Sequence, residues 1–135
     1  MELLKRLAFA PIIAYSFAIV AISHQVLPDK LLPFEHADKV AHFVEYLLYV
    51  ELLYLALAIN RPAAATNRLW AAGFSIAFGI SDEIHQYFVP GRSCSIVDLL
   101  VDCMGIGFGL YAVRRLPMFP DVKQVKSSQH EGENA

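Results

Sequence analysis

Apolar residues run almost unbroken through 7–22 and recur over 40–59, 69–80 and 96–113, with polar stretches between them, so the chain reads as a series of long apolar helices. The first run follows Lys5 and Arg6. It leads into His24 and Gln25 and not into a small-x-small cleavage site, which favours a membrane helix over a removable leader. Between 23 and 39, Pro28 and Pro33 punctuate a polar stretch carrying Leu27, Leu31, Leu32 and Phe34, as suits a connection on a bilayer surface. The run 40–59 is long enough to span at about 1.5 Å per residue, although it carries His42, Glu45 and Glu51; Asn60, Arg61 and Pro62 end it.

The third run shows where the chemistry lies. Its uncharged part, 69–80, has only twelve residues and is too short to cross hydrocarbon. Continued to Val89, ahead of the Pro90-Gly91 turn, it reaches twenty-one residues and spans, which carries Asp82, Glu83, His85 and Gln86 into the membrane's depth on its last turns. The fourth run holds Asp98 and Asp102 near its start and stops at Arg114 and Arg115. Gly105 and Gly109, four apart within it, either admit close helix contact or reflect the ordinary tolerance of membrane helices for glycine. The expected fold class is all-α: a polytopic bundle of four transmembrane helices over 1–116, followed by a disordered cytoplasmic tail over 117–135.

Composition agrees with the pattern. The 135 residues are 56% hydrophobic and 18% charged, with a mean hydropathy of +0.44, too apolar for an ordinary soluble domain. A net charge of -2 and no basic run interleaved with aromatics exclude a nucleic-acid binder. Cys94 and Cys103 would lie roughly 13 Å apart on a helix, beyond disulfide reach, and neither has an adjacent base to make it a nucleophile. Charge also predicts orientation. If the N-terminus, the 60–68 loop and the tail share one side, that side holds eight of the eleven Lys and Arg residues, which places both termini in the cytoplasm and the Ser81 to Arg92 motif toward the periplasm or cell exterior.

Depths along these helices bring the polar groups together. Glu45, Asp82 and Asp102 fall roughly 9 to 10 Å below the outer helix ends, with Glu83 just above, and His42, His85, Gln86 and Asp98 form a shallower layer. Asp38, His42, Glu45 and Tyr49 follow one helical stripe, as Asp98 and Asp102 do; Asp82, His85 and Gln86 share a face that Glu83 meets only at its edge. Six acids, Asp38, Glu45, Asp82, Glu83, Asp98 and Asp102, face two cations, Lys39 and Arg92. A low-dielectric site requires those charges to be paired, protonated or metal-bound. A divalent metal is therefore one answer, drawn from carboxylates and imidazoles on three helices, although no His-Glu-x-x-His occurs. The other is a self-satisfied network in which Lys39 and Arg92 reach the carboxylates while His42 and Tyr46 bond across helices.

These residues resemble a known family. Asp38-Lys39-Val-Ala-His42-Phe-Val-Glu45-Tyr46 is similar to the Lys-x-x-His-Phe-x-x-Tyr helix start of VanZ-like membrane proteins, a group named for an accessory protein of teicoplanin resistance. Ser81 to Arg92 resembles their Ser-(Asp)-Glu-x-x-Gln-x-Phe-x-Pro-Gly-Arg segment, and Asp98 to Gly109 their Asp-x-x-x-(Asn or Asp)-x-x-Gly-x-x-x-Gly segment, with Asp102 where many members carry asparagine. The resemblance covers 38–109 and implies a small helical integral membrane protein of the bacterial envelope.

Three functions compete. In the first, Lys39, His42, Glu45, Tyr46, Asp82, Glu83, Gln86, Arg92, Asp98 and Asp102 line an outward pocket for an envelope lipid, a lipid-linked headgroup or a lipoglycopeptide-related ligand, contributing to teicoplanin-type resistance. In the second, the protein is an enzyme on a lipid-linked phosphate or ester, with Glu83 or Asp82 as general base, His42 or His85 as acid, and Arg92 or a metal as electrophilic help. The third is a proton-coupled transporter, for which four short helices without a visible inverted repeat would need to form a homo-oligomer.

Overall fold

The computed structural model of the protein describes residues 2–25, 36–61, 66–92 and 94–115; the expected tail over 117–135 lies outside them. Five helices form in chain order: α1, Glu2–Leu7; α2, Ala10–Ser23; α3, Ala37–Asn60; α4, Asn67–Tyr87; and α5, Ile96–Arg115. No strand occurs among the described residues. Three stretches are long and apolar enough to cross a membrane: Lys5–Ser23, Ala37–Asn60 and Ile96–Arg115.

The apolar run expected to be one helix over 7–22 is broken at Ala8 and Phe9. Pro11, in the first turn of α2, is the cause. It lacks the N–H that would continue the ladder back to Leu7, and its ring crowds the preceding turn, so the helix restarts. α3 begins and α5 ends slightly beyond the expected bounds, because polar groups serve as termini, whereas α4 stops at Tyr87, two residues short of the expected Val89, as the chain turns ahead of Pro90-Gly91. Asp38 lies in the first turn of α3, and Arg114 and Arg115 in the last turn of α5, each favourable against the helix dipole.

α3 is the central helix, and Tyr46, Val50 and Ala56 on it are fully enclosed. Its closest partner is α5, whose Gly105 and Gly109 bring the two backbones together. A Cβ at Gly105 would run into the Phe43 carbonyl oxygen, and one at Gly109 would sit 2.8 Å from the Leu47 carbonyl oxygen and 2.6 Å from Val50 Cγ1. The glycine pair is thus a packing seam between helices. Ile12 and Ile19 of α2, Ala71 of α4 and Ile106 of α5 complete the apolar core around Tyr49 and Leu53.

α4 has the reverse of a soluble protein's polarity. Asn67, Ser75, Asp82, Glu83 and Gln86 are buried, whereas Leu69, Trp70, Phe74, Ile80, Ile84 and Tyr87 are exposed. Large apolar side chains likewise cover the outer surfaces of α2 and α5, among them Phe17, Met104 and Phe108. A surface of this kind suits lipid contact, and polar groups that α4 turns inward must be satisfied there.

Candidate functional site

At the end of the bundle where α2 and α4 finish and α3 and α5 begin, the buried polar side chains form two connected groups. The first is built on α4 and α2. Ser23 donates its hydroxyl to Asp82 Oδ2 at 2.9 Å, and Gln86 donates Nε2 to the same oxygen at 2.9 Å. Arg92 then donates to Gln86 Oε1 at 2.7 Å, so the arginine reaches the carboxylate only through the amide. Gly91, at φ 86°, makes the turn that carries Arg92 back over the helix end, a conformation that glycine adopts without penalty.

The second group joins α3, α4 and α5. His42 Nδ1 lies 3.0 Å from Asp102 Oδ1, with both side chains buried. Lys39 bonds Asp38 at 2.9 Å and also pairs with Asp98 across the interface. The backbone N–H of Ser95 donates to Glu83 Oε2 at 2.8 Å, while the Ser95 hydroxyl accepts the Asp98 N–H at 3.3 Å, as an N-cap residue does at the start of a helix. One nitrogen of His42 and one oxygen each of Glu83 and Asp98 all lie within 4.8 Å of one another.

Four buried atoms in this region have no hydrogen-bond partner among the described residues: Asp82 Oδ1, Glu83 Oε1, Asp102 Oδ2 and the Tyr46 hydroxyl. Tyr46 approaches the site because Gly79 makes room, since a Cβ there would lie 3.2 Å from the Tyr46 ring and 3.5 Å from Asp102 Oδ2. Glu45 is half-buried and within electrostatic reach of His42, Asp82, Asp102 and Arg92.

The ten residues expected to line a pocket therefore gather at one end of the bundle, although not as a single cavity. Asp82 and Glu83 are both buried despite the turn of about 100° between them, because α4 is covered on two sides: Asp82 meets α2, and Glu83 meets the start of α5. His85 departs from the expected cluster. Its Nε2 lies 3.5 Å from His24 Nδ1 on an exposed face, with ring centroids 5.6 Å apart. Of the expected network, Lys39 to Asp98 and His42 to Asp102 form across helices, whereas Arg92 bonds an amide and the Tyr46 hydroxyl has no hydrogen-bond partner among the described residues. Ser23 and Ser95 are the participants that the sequence did not single out. Cys94 is exposed on the loop before α5; loss of solvation and then the Glu83 carboxylate push its thiol above its ordinary value, the wrong direction for a nucleophile.

Below the polar groups an open groove of about 600 Å³ runs between α2, α3 and α4. Ile12, Ile13, Leu53, Leu57 and Phe74 make it apolar, and Ser16, Tyr49 and Ser81 stand along it, Ser81 next in sequence to Asp82. The stacked rings of Tyr49 and Phe78, 4.6 Å between centroids, form part of its wall.

The family profile described as VanZ/LLP1 matches residues 3–117, which spans every helix just described. The chain belongs to the VanZ/LLP1 family. No curated protein and no solved structure matches it. In this VanZ/LLP1 protein the site residues His42, Asp82, Glu83, Asp98 and Asp102 all fall inside the matched region.

Proposed function

We propose that this VanZ/LLP1 protein crosses the bacterial cell membrane four times with both termini cytoplasmic. On this reading the polar site, lined by the ten residues named above, faces outward, binds an envelope lipid or lipid-linked headgroup, and contributes to resistance against teicoplanin-type lipoglycopeptides. The observation that carries it is an apolar groove whose wall rings, Tyr49 and Phe78, pack against Tyr46 of the polar site. A ligand with a polar head and a hydrocarbon tail matches that combination, and a small polar molecule leaves the groove unused. The chain over 1–116 is the membrane domain in this reading. The fourth crossing is assigned to α4, whose 21 residues reach about 31 Å and whose outward surface is apolar even though its buried side is not.

Orientation is tested with the native cysteines. Exposed Cys94 is expected to react with a membrane-impermeant maleimide in intact cells, and C94S to abolish that labelling, while Cys103 within α5 stays unlabelled. Labelling of Cys94 only after the cells are opened would reverse the topology. Function is tested by deletion and complementation. Deletion is expected to raise susceptibility to a lipoglycopeptide, wild-type protein to restore resistance, and E83A at equal membrane abundance to leave cells as susceptible as the deletion strain. Unchanged susceptibility on deletion, with unchanged envelope lipids, removes the resistance reading.

A second reading, a membrane-embedded enzyme acting on a lipid-linked phosphate or ester, draws on the His42–Asp102 pair and a Glu83 carboxylate oxygen within 4.8 Å of a His42 ring nitrogen. An imidazole oriented by one carboxylate next to another is a usable acid–base set. Turnover of radiolabelled envelope lipids by purified protein, lost in H42Q, separates this reading from binding alone.

A further inference from the structure

We infer that His42, Glu83 and Asp98 form a three-helix site for one divalent first-row transition ion, zinc or manganese. Each residue comes from a different helix, α3, α4 and α5, and their candidate ligand atoms lie within 4.8 Å of one another. Ligand atoms on a common ion at about 2.1 Å are roughly 3.4 Å apart, a contraction that side-chain rotation accommodates.

Three independent features favour an ion at this place. Glu83 is 3% exposed, and its Oε1 is buried with no hydrogen-bond partner among the described residues, although Oε2 is held by the Ser95 N–H. One oxygen is thus oriented and the other free to coordinate. His42 Nδ1 is engaged by Asp102 Oδ1, an arrangement that fixes the ring and leaves Nε2 with a lone pair, as metal-bound histidines backed by a carboxylate commonly are. Charge supplies the third. Asp82, Glu83, Asp98 and Asp102 are all buried here, and Lys39 pairs with Asp98 while Arg92 is engaged by Gln86, so among the described residues no ammonium or guanidinium forms an ion pair with Glu83 or Asp102. An imidazole with two carboxylates suits zinc or manganese better than magnesium or calcium, which take oxygen ligands.

The imidazoles of exposed His24 and half-buried His85 are a less suitable alternative, since among the described residues they bring no carboxylate within the same cluster. The inference is separate from the lipid reading, because an ion can be held whether or not a lipid binds. Taken with that reading, on which this consequence rests, the ion gives a phosphate headgroup a cation to meet where bare carboxylates repel it.

The test uses the full chain purified in detergent, stripped with a chelator, dialysed, and titrated calorimetrically with Zn²⁺ and with Mn²⁺. One equivalent per chain is expected for at least one ion, with affinity lowered about tenfold or more in E83Q and in D98N and unchanged in H24A. Circular dichroism and gel filtration establish that each variant is folded. Co²⁺ added to the unmodified protein provides a readout that needs no variant: visible d–d bands without a thiolate charge-transfer band are expected. Failure of Zn²⁺, Mn²⁺ and Co²⁺ to bind above trace overturns the inference and leaves Lys39 as the balancing charge. Binding that survives both E83Q and D98N, or a thiolate band assigning the ion to Cys94, overturns the ligand set. Loss of lipoglycopeptide resistance in cells does not enter either outcome, so failure of the metal site and failure of the lipid reading remain distinguishable.

Discussion

Replacing Gly105 with alanine is expected to destabilise the bundle by about 3 kcal/mol, the upper end for overpacking in a well-filled interior, as measured by reversible unfolding in mixed micelles. The added methyl would collide with the Phe43 carbonyl oxygen and would stand 3.1 Å from the Leu47 backbone nitrogen. These are backbone atoms of α3, so no side-chain rotation relieves the clash, and the two helices must separate. Separation reaches the site directly, since α3 contributes Lys39 and His42 and α5 contributes Asp98 and Asp102. Gly109→Ala is expected to be milder, because the Val50 Cγ1 that it meets at 2.6 Å can move, although the Leu47 carbonyl oxygen at 2.8 Å cannot. Gly107→Ala is the control. Nothing lies within 4 Å of its Cβ position, and the substitution is expected to change stability by no more than about 1 kcal/mol. Equal effects at Gly105 and Gly107 would show that α3 and α5 do not pack through this seam.

The seam also illustrates which parts of the fold can be read in a sequence. Four-residue glycine spacing on an apolar helix permits close approach, but it does not name the partner; only the assembled bundle gives α3 that place. Helix positions follow from the hydrophobic runs, although the first run divides into α1 and α2, and the twelve-residue limit on the uncharged part of the third run correctly draws Asp82 and Glu83 into α4. Angular position is less accessible. A helical wheel puts Asp82 and Glu83 about 100° apart and leaves one of them doubtful, because it cannot register that α4 has neighbours on two sides. Ser23 and Ser95 were invisible for a related reason. A lone serine at a helix boundary has no periodicity, and its value here depends on a carboxylate 59 residues away in one case and on a backbone N–H aimed at Glu83 in the other. Pro11, by contrast, was a local signal that the apolar run obscured.

Truncating His42 to alanine is expected to destabilise the protein by about 3 kcal/mol, because it removes one member of a buried pair and strands the other. Asp102 is 1% exposed and its Oδ2 already lacks a hydrogen-bond partner, so losing His42 leaves both carboxylate oxygens without a donor among the described residues. Conversion of Asp102 to asparagine is a different perturbation. The amide oxygen still accepts from the imidazole, and the expected loss is within about 1 kcal/mol, the net worth of an ordinary hydrogen bond. The two substitutions therefore separate the need for an acceptor from the need for a charge. The double variant H42A/D102A sharpens the distinction: with both polar groups gone, no buried oxygen is stranded, and part of the H42A loss should return, with a coupling of about 1 to 2 kcal/mol. Strict additivity of the two alanine variants would mean that His42 and Asp102 act separately. It would also remove the carboxylate that orients the imidazole toward Glu83 and Asp98, on which the acid–base reading and the metal site both depend.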